Sequence, residues 1–382
     1  MYIGTKKSLI NVNISNIPGW RTNRKIVVIE SDDWGSIRMS SENAFQKLLK
    51  AGVPVDKSHY NLYDSLESNL DLEMFMQVLE KFNDKTGRPP VITGVNIVAN
   101  PDFEKIKENG FSQYVYEPIS STLTRYPEHD RVLDLWQEGI QKRLLFPIFH
   151  GREHLNVQRW MLALQNNHAT THLGFDCQVT GIPGVGINGE DVPNFQAAFD
   201  IDTMNDLVYM KEVLKTGLEL FETIYGFRSR YFVPTNGPFN NTLELDLHSL
   251  GVEYINTAKK QHEPLGEGNY KTNIRFIGNK NKHGQHYITR NCFFEPSSSG
   301  FEWPTNTDWV NNCLKEISIA FRWHKPAVIS SHRVNYIGFH DPKNRENSLK
   351  KFEILITQML KKWPDIEFMT STELGDLISN KK

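Results

Sequence analysis

Short apolar runs alternate with amphipathic stretches along most of the chain. The run "KIVVIE" at 25–30 is typical of a buried strand, and "SENAFQKLLKAG" after it has the spacing of a short helix. The alternation recurs through "PPVITGVNIVAN", "LLFPIFHG", "RYFVPTNG", "VEYINT" and "PAVISSH", with helical patterns between them. Because such strands need crossover connections, the pattern predicts an α/β fold, a distorted (β/α) barrel of about seven to eight parallel strands with long loop insertions.

Two segments interrupt this alternation. Residues 168–200 are rich in Gly and Asn, and residues 259–305 are rich in His, Asn, Lys and Ser. Long irregular insertions in such an architecture usually lie over the functional face. We therefore predict an N-terminal extension at 1–24 and a single barrel domain over 25–382 that carries both insertions.

Charge and cysteine content narrow the classes of protein. Lys and Arg number 43 and Asp and Glu 45 among 382 residues, so the net charge is −2 and no basic footprint predicts a nucleic-acid or membrane partner. No signal peptide or membrane-spanning run is visible, which predicts a cytoplasmic protein. Cys177, Cys292 and Cys313 lack a CxxC spacing, so we expect buried thiols rather than disulfides or a thiolate zinc site.

Three strand-like runs end in residues that suit chemistry. The first ends in Asp32 and Asp33, another in "FHGREH" with His150 and His154, and a late one in His332. Carboxyl ends of parallel strands meet at one edge, and histidines four apart can reach one ion. Two imidazoles and one carboxylate make a site suited to zinc or a similar divalent ion, which also offsets the cost of adjacent carboxylates. The second carboxylate is then positioned to take a proton from a water molecule.

Three segments of the chain resemble motifs of the NodB-type polysaccharide deacetylases, carbohydrate esterase family four. In chain order they are "IESDDWGS", "FHGREHLNVQRW" and "VISSH". The resemblance implies that Asp32 is the general base and His332 the general acid. It also implies that Asp33, His150 and His154 bind a divalent metal, for which zinc is the first expectation. The closing "DIEFMTSTELGDLI" resembles the last strand and helix of that family.

The third motif of the family departs from its pattern. An arginine in Arg-Pro-Pro-Tyr-Gly normally orients the base, whereas in "RYFVPTNG" Pro234 matches and Val233 takes the position of the arginine. Arg230 and Arg333 are the two candidates to replace it. We expect both, and Pro234 with them, to orient the base or contact substrate. Trp34 has two open interpretations, a ring that stacks on a sugar and a buried aromatic that anchors the turn.

The resemblance implies a metal-dependent hydrolase that removes an N- or O-acetyl group from a sugar or polysaccharide. Two alternatives stay open. The altered third motif favours a catalytically silent carbohydrate-binding protein on the same barrel, and the same metal site also suits an amidase or deformylase. The lack of a visible signal peptide points to a sugar precursor inside the cell as the partner, and the residues assign neither the sugar nor an oligomeric state.

Overall fold

In a computed structural model, which describes residues 9–381, strands and helices alternate along the chain. The strands are β1 Lys25–Trp34, β2 Ile92–Ile97, β3 Ala99–Pro101, β4 Tyr116–Pro118, β5 Leu145–Gly151, β6 Tyr231–Phe232, β7 Tyr254–Asn256, β8 Lys260–Gly266, β9 Asn269–Ile274, β10 His286–Ile288, β11 Cys292–Phe293, β12 Ala327–His332 and β13 Ile366–Phe368. The α-helices are α1 Leu9–Ser15, α2 Glu42–Lys50, α3 His59–Tyr63, α4 Asn69–Leu79, α5 Phe103–Glu108, α6 Ile119–Arg125, α7 Val132–Gln141, α8 Val157–Gln165, α9 Ala169–Asp176, α10 Asp206–Tyr225, α11 Leu243–Ser249, α12 Trp309–Arg322, α13 Pro342–Lys362 and α14 Ser371–Ser379.

Nine strands form one sheet, in the order β10-β7-β6-β5-β2-β1-β12-β11, with β13 paired to the start of β1. All its pairings are parallel, and the sheet curls into a half-barrel with helices around it. The predicted distorted barrel is therefore confirmed. The two edge strands β10 and β11 follow one another in the sequence and are joined by residues 289–291, which we call the seam.

Side chains alternate between the two faces of β1, as they do in any strand. Val27 and Ile29 pack into the large apolar cluster shared with the helices. Ile26 and Val28 join a smaller cluster that faces the barrel interior. Asp32 continues this second series at the carboxyl end of the strand. The interior thus changes from apolar to charged along the strand, which leaves the ionisable groups at one end of the barrel.

The amino end of the barrel is covered by α14 and by the chain after α1. Gly375 of α14 packs so closely on the Tyr254 ring that a Cβ there would lie 2.7 Å from its carbons. The Lys325 ammonium donates to the carbonyls of Gly19 and Trp20 at 2.6 and 2.8 Å. These contacts close that end and leave the carboxyl end for a site. The division into an extension at 1–24 and one barrel domain stays a prediction.

Two further observations concern the cysteines and the possibility of a membrane-spanning helix. Cys177, Cys292 and Cys313 are all buried free thiols, as predicted. Over residues 9–381, every helix is too short or too polar to cross a membrane.

Candidate metal centre

Asp33, His150 and His154 converge at the carboxyl end of the barrel, although they are far apart in the sequence. Each offers a ligand atom, and these atoms all lie within 4.8 Å of one another. The Asp33 Oδ1 atom is 3.1 Å from His154 Nε2 and 3.5 Å from His150 Nε2. All three side chains are at most 3% exposed. The group can therefore hold a metal ion in a site screened from bulk water.

Asp33 reaches this cluster because β1 is irregular at its end. The pairing of β1 with β2 shifts register between residues 31 and 34, and Asp33 has a φ of 79°. The left-handed conformation is one that aspartate tolerates better than most residues. An irregularity of this kind redirects a side chain out of the strand alternation. Adjacent Asp32 and Asp33 can therefore both take part in one site.

The protonation of the donors suits a divalent ion. The Nδ1 atom of His150 lies 2.7 Å from the carbonyl oxygen of Val233, which can only accept, so Nδ1 carries a proton and Nε2 is the atom that faces Asp33. Burial lowers the pKa of His154 to about 4, so its imidazole is neutral at pH 7. Burial raises the pKa of Asp33, but Arg38 and the two imidazoles outweigh it and hold that pKa well below its usual value. A carboxylate with neutral imidazoles is the form that binds metal.

Arg290 in the seam holds the carboxylate of Asp32. Its Nη1 atom donates to Asp32 Oδ2 at 2.6 Å, and its Nη2 atom donates to Asp32 Oδ1. A further hydrogen bond runs from Arg290 Nε to the buried Glu30. Burial raises the pKa of Asp32, but the charge and hydrogen bonds of Arg290 outweigh it and leave the pKa lowered. Asp32 is therefore ionised and fixed in orientation at neutral pH.

Arg230 does not orient Asp32, contrary to one of the two expectations. It precedes β6 and so lies at the amino end of the barrel, away from Asp32. Its guanidinium donates to Glu253 at 2.9 Å and to Asp376 at 3.2 Å. Glu253 lies just before β7 and Asp376 lies in α14, so these two carboxylates hold the guanidinium of Arg230 away from Asp32.

Arg333 does not orient Asp32 either. The side chain is completely buried and donates to Asp64 at 3.1 Å and to Glu67 at 2.8 Å. It follows His332 directly, so strand alternation turns it away from the barrel interior. The expectation for Arg333 is therefore wrong, and Arg290 is the arginine on Asp32.

His332 faces Asp32 from the neighbouring strand, since the two residues pair across β1 and β12. Its Nδ1 atom lies 2.7 Å from Glu295 Oε1, and its Nε2 atom lies 3.8 Å from Asp32 Oδ2. Asn335 donates to the other Glu295 oxygen at 2.7 Å. Burial lowers the pKa of His332, but Glu295 and then Asp32 outweigh it and raise the pKa to about 9. The imidazole is therefore protonated at neutral pH.

The site opens on the side of His332. Its side chain is 26% exposed, compared with 9% for Asp32 and 3% for Asp33. The ring of Tyr60 lies edge-on to the imidazole at 5.5 Å. His332 and Tyr60 therefore lie on the accessible side of the site.

Trp34 is completely buried, so the expectation that it stacks on a sugar is wrong. Its ring stacks on Phe75 at 6.1 Å and meets Trp136 edge-on at 5.5 Å. Its Nε1 donates to Ser31 Oγ at 3.0 Å. The alternative interpretation, a buried aromatic that anchors the turn after β1, is the one the structure supports.

Pro234 is also buried, which corrects the expectation that it contacts substrate. It lies in the turn after β6, where Gly237 donates its N–H to the Pro234 carbonyl at 3.2 Å. The preceding residue, Val233, supplies the carbonyl that faces His150. Pro234 therefore acts on the backbone that orients a cluster histidine.

Sequence reasoning missed Arg38, Arg290 and Glu295. Arg290 and Glu295 belong to the insertion over 259–305, and the insertion over 168–200 supplies Gln196, which accepts from Arg38. One signal was available for Arg290. Arg290 interrupts the apolar run "HYITRNCFFE". A guanidinium buried in such a run needs carboxylate partners.

No protein-family model matches the chain, and neither does any curated protein. Solved structures do match. A Puue allantoinase shares 10% identity at a TM-score of 0.47, over 99% of this chain and 97% of that one. For a candidate polysaccharide deacetylase from Mycobacterium smegmatis the identity is 9%, the TM-score 0.45 and the coverage 95% and 93%. A 4-alpha-glucanotransferase from Thermococcus litoralis shares 12% identity at a TM-score of 0.43, over 92% of this chain and 40% of that one. At such low values these likenesses carry no statement about activity, so the chemistry rests on the chain's own residues.

Proposed function

We propose that this chain is a metal-dependent hydrolase that removes an N- or O-acetyl group from a sugar or polysaccharide. The observation that carries the proposal is the convergence of Asp33, His150 and His154, with Asp32 and His332 beside them on the open side. The substrate class rests on the resemblance of the three strand-end motifs to those of the polysaccharide deacetylases.

The chain's own residues supply proton transfer at two atoms. A bound divalent cation would polarise the acyl carbonyl and make a water molecule more acidic. Asp32, kept ionised by Arg290, takes a proton from the water that attacks the carbonyl carbon. His332, kept protonated by Glu295, gives a proton through Nε2 to the departing nitrogen or oxygen. Glu295 on Nδ1 fixes the ring so that Nε2 faces the reacting group.

Arg290 bears on the choice between an enzyme and a silent binding protein. The altered third motif lacks the expected arginine at the end of β6, which favours a silent protein. Arg290 restores a forked contact with Asp32 from the seam between β10 and β11, and a binding protein has no need to hold an ionised base in this way. The contact therefore favours the enzyme.

The test is metal content together with acyl release. We expect the purified protein to contain about one equivalent of a divalent ion, zinc first, and to release acetate from N- or O-acetylated sugar oligomers. A chelator should abolish release and lower the melting temperature, because a bound ion stabilises only the folded form. Full release from metal-free protein contradicts the proposal. Bound metal with release of formate or another acyl group from a panel of amides, but no acetate, identifies the amidase or deformylase alternative.

Glu295→Gln is expected to move the alkaline limb of the pH–rate profile downward. In the wild-type protein the pKa of His332 is raised to about 9, so activity should persist into mildly alkaline solution. Removal of the Glu295 charge brings that pKa back towards the ordinary value of about 6.5. The measurement is kcat/KM against pH, with Glu302→Gln on the neighbouring loop as a matched control. An unchanged alkaline limb in Glu295→Gln contradicts the role of His332 as the acid.

Arg290→Lys is expected to lower kcat about tenfold to a hundredfold, because lysine keeps the charge but loses the forked geometry. The pKa of Asp32 should rise as its hydrogen bonds weaken, so the acid limb of the pH–rate profile moves to higher pH. Arg230→Lys is the matched control, since Arg230 also pairs with two carboxylates but lies at the other end of the barrel. Equal effects of the two substitutions exclude a specific role for Arg290.

A further inference from the structure

Arg38 binds the carboxylate that is proposed to hold the cation. Its Nη2 atom donates to Asp33 Oδ2 at 2.7 Å. The other oxygen, Oδ1, is the one that faces His154 at 3.1 Å and His150 at 3.5 Å. The two oxygens of Asp33 are thus divided between a guanidinium and the two imidazoles.

Two other side chains fix the guanidinium of Arg38 in this place, one by a hydrogen bond and one by an ion pair. Its Nη1 atom donates to the side chain of Gln196, and its Nε atom lies 3.4 Å from Asp64 Oδ2. Asp64 is completely buried and is also paired with Arg333, so it cannot follow Arg38 outward. The Arg38 side chain is itself only 10% exposed. These contacts and its burial hold Arg38 beside Asp33.

The charges then set how strongly an ion is held. Imidazoles bind a metal in their neutral form, so the three ligands together bring one negative charge, that of Asp33. The positive charge of Arg38 cancels it. A buried positive charge this close to the ligand carboxylate opposes a divalent cation. In the absence of an ion the same charge compensates Asp33, which would otherwise be a costly buried carboxylate.

We propose that Arg38 restricts Asp33 to coordination through Oδ1 and weakens cation binding, so that the ion is held exchangeably. Arg38 thus acts as a positioning residue, and it stabilises the fold when no ion is bound. The inference rests on the proposed function only in taking Asp33, His150 and His154 as the ligands.

The experiment compares Zn²⁺ binding in the wild-type chain, Arg38→Gln and Arg38→Lys by competition with a chromophoric chelator. We expect Arg38→Gln to bind Zn²⁺ at least about tenfold more tightly, and Arg38→Lys, which keeps the charge, to stay within about threefold of the wild type. In chelator, Arg38→Gln should melt at a lower temperature than the wild type, and added Zn²⁺ should raise its melting temperature more. Arg230→Gln, which removes an arginine at the far end of the barrel, should leave the Zn²⁺ affinity and the rise in melting temperature on addition of Zn²⁺ as they are in the wild type.

Weaker or unchanged Zn²⁺ binding in Arg38→Gln overturns the inference, because Arg38 would then serve to orient Asp33 for binding. Should that variant not fold, a crystal structure of the wild-type chain with Zn²⁺ decides. We expect Asp33 to bind through Oδ1 with Arg38 still on Oδ2, and coordination through both oxygens with Arg38 displaced overturns it. Failure of every variant to bind Zn²⁺ overturns the metal site and the proposed function together. If Arg38→Gln binds Zn²⁺ more tightly as expected but the wild type releases no acetate, only the proposed function is overturned and the inference about Arg38 stands.

Discussion

Asp32→Asn is expected to lower kcat/KM about 10²- to 10⁴-fold, the range ascribed to a general acid or base. An amide keeps the size of the side chain and still accepts a hydrogen bond from Arg290, but it takes no proton from water. Zn²⁺ affinity should remain near that of the wild type, because Asp33 and not Asp32 belongs to the ligand cluster. The measurements are acetate release and Zn²⁺ affinity on the same preparation.

The matched control is Asp134→Asn, the same change at an exposed position of α7. Its activity and melting temperature should equal those of the wild type. Glu30 remains as a partner for Arg290 in Asp32→Asn, so we expect that variant to fold. If Asp32→Asn keeps more than about a tenth of the activity, which is outside the range for a lost base, Asp32 is not the base.

His150→Ala is expected to weaken Zn²⁺ binding more than about a hundredfold, beyond the loss usual for a residue that only supports a ligand. Acetate release should fall with it, because the remaining Asp33 and His154 leave the ion with two protein ligands. Zn²⁺ affinity by chelator competition and acetate release at saturating Zn²⁺ are the two measurements. The pair of variants then separates binding from proton transfer, since Asp32→Asn loses only activity and His150→Ala loses both.

His248→Ala serves as the control, because His248 is an exposed histidine on α11. It should bind Zn²⁺ and release acetate as the wild type does. The imidazole of His150 also lies against the Val233 carbonyl, so a lower melting temperature in His150→Ala is expected in chelator as well. Unchanged Zn²⁺ affinity in His150→Ala rules out the cluster as the metal site.

The barrel and the convergence of its strand ends could be predicted because they follow from periodicity. Apolar runs such as 26–29 signal parallel strands, and residues at the carboxyl ends of parallel strands must share one rim. Asp33, His150 and His154 therefore meet where the motifs place them. The roles of these residues in catalysis stay a prediction until the variants are measured.

The carboxylate partners of the arginines could not be predicted, because the positions of these side chains depend on irregular backbone. Arg290 reaches Asp32 across the seam, and Arg38 reaches Asp33 only because Asp33 leaves the strand alternation at a φ of 79°. Arg230 and Arg333 lie near the motifs in sequence, yet their partners are structural carboxylates elsewhere. Where an arginine lies in a loop rather than a strand, its distance along the chain from a carboxylate does not predict whether the two form an ion pair.

The position of Arg290 between two edge strands has a consequence for the loss of activity on heating. The half-barrel is completed there by three residues, 289–291, and the same residues hold the carboxylate of Asp32. A local opening of this joint costs less free energy than global unfolding. Turnover should therefore fail at a lower temperature than helical circular dichroism, and crosslinking β10 to β11 should bring the two temperatures together.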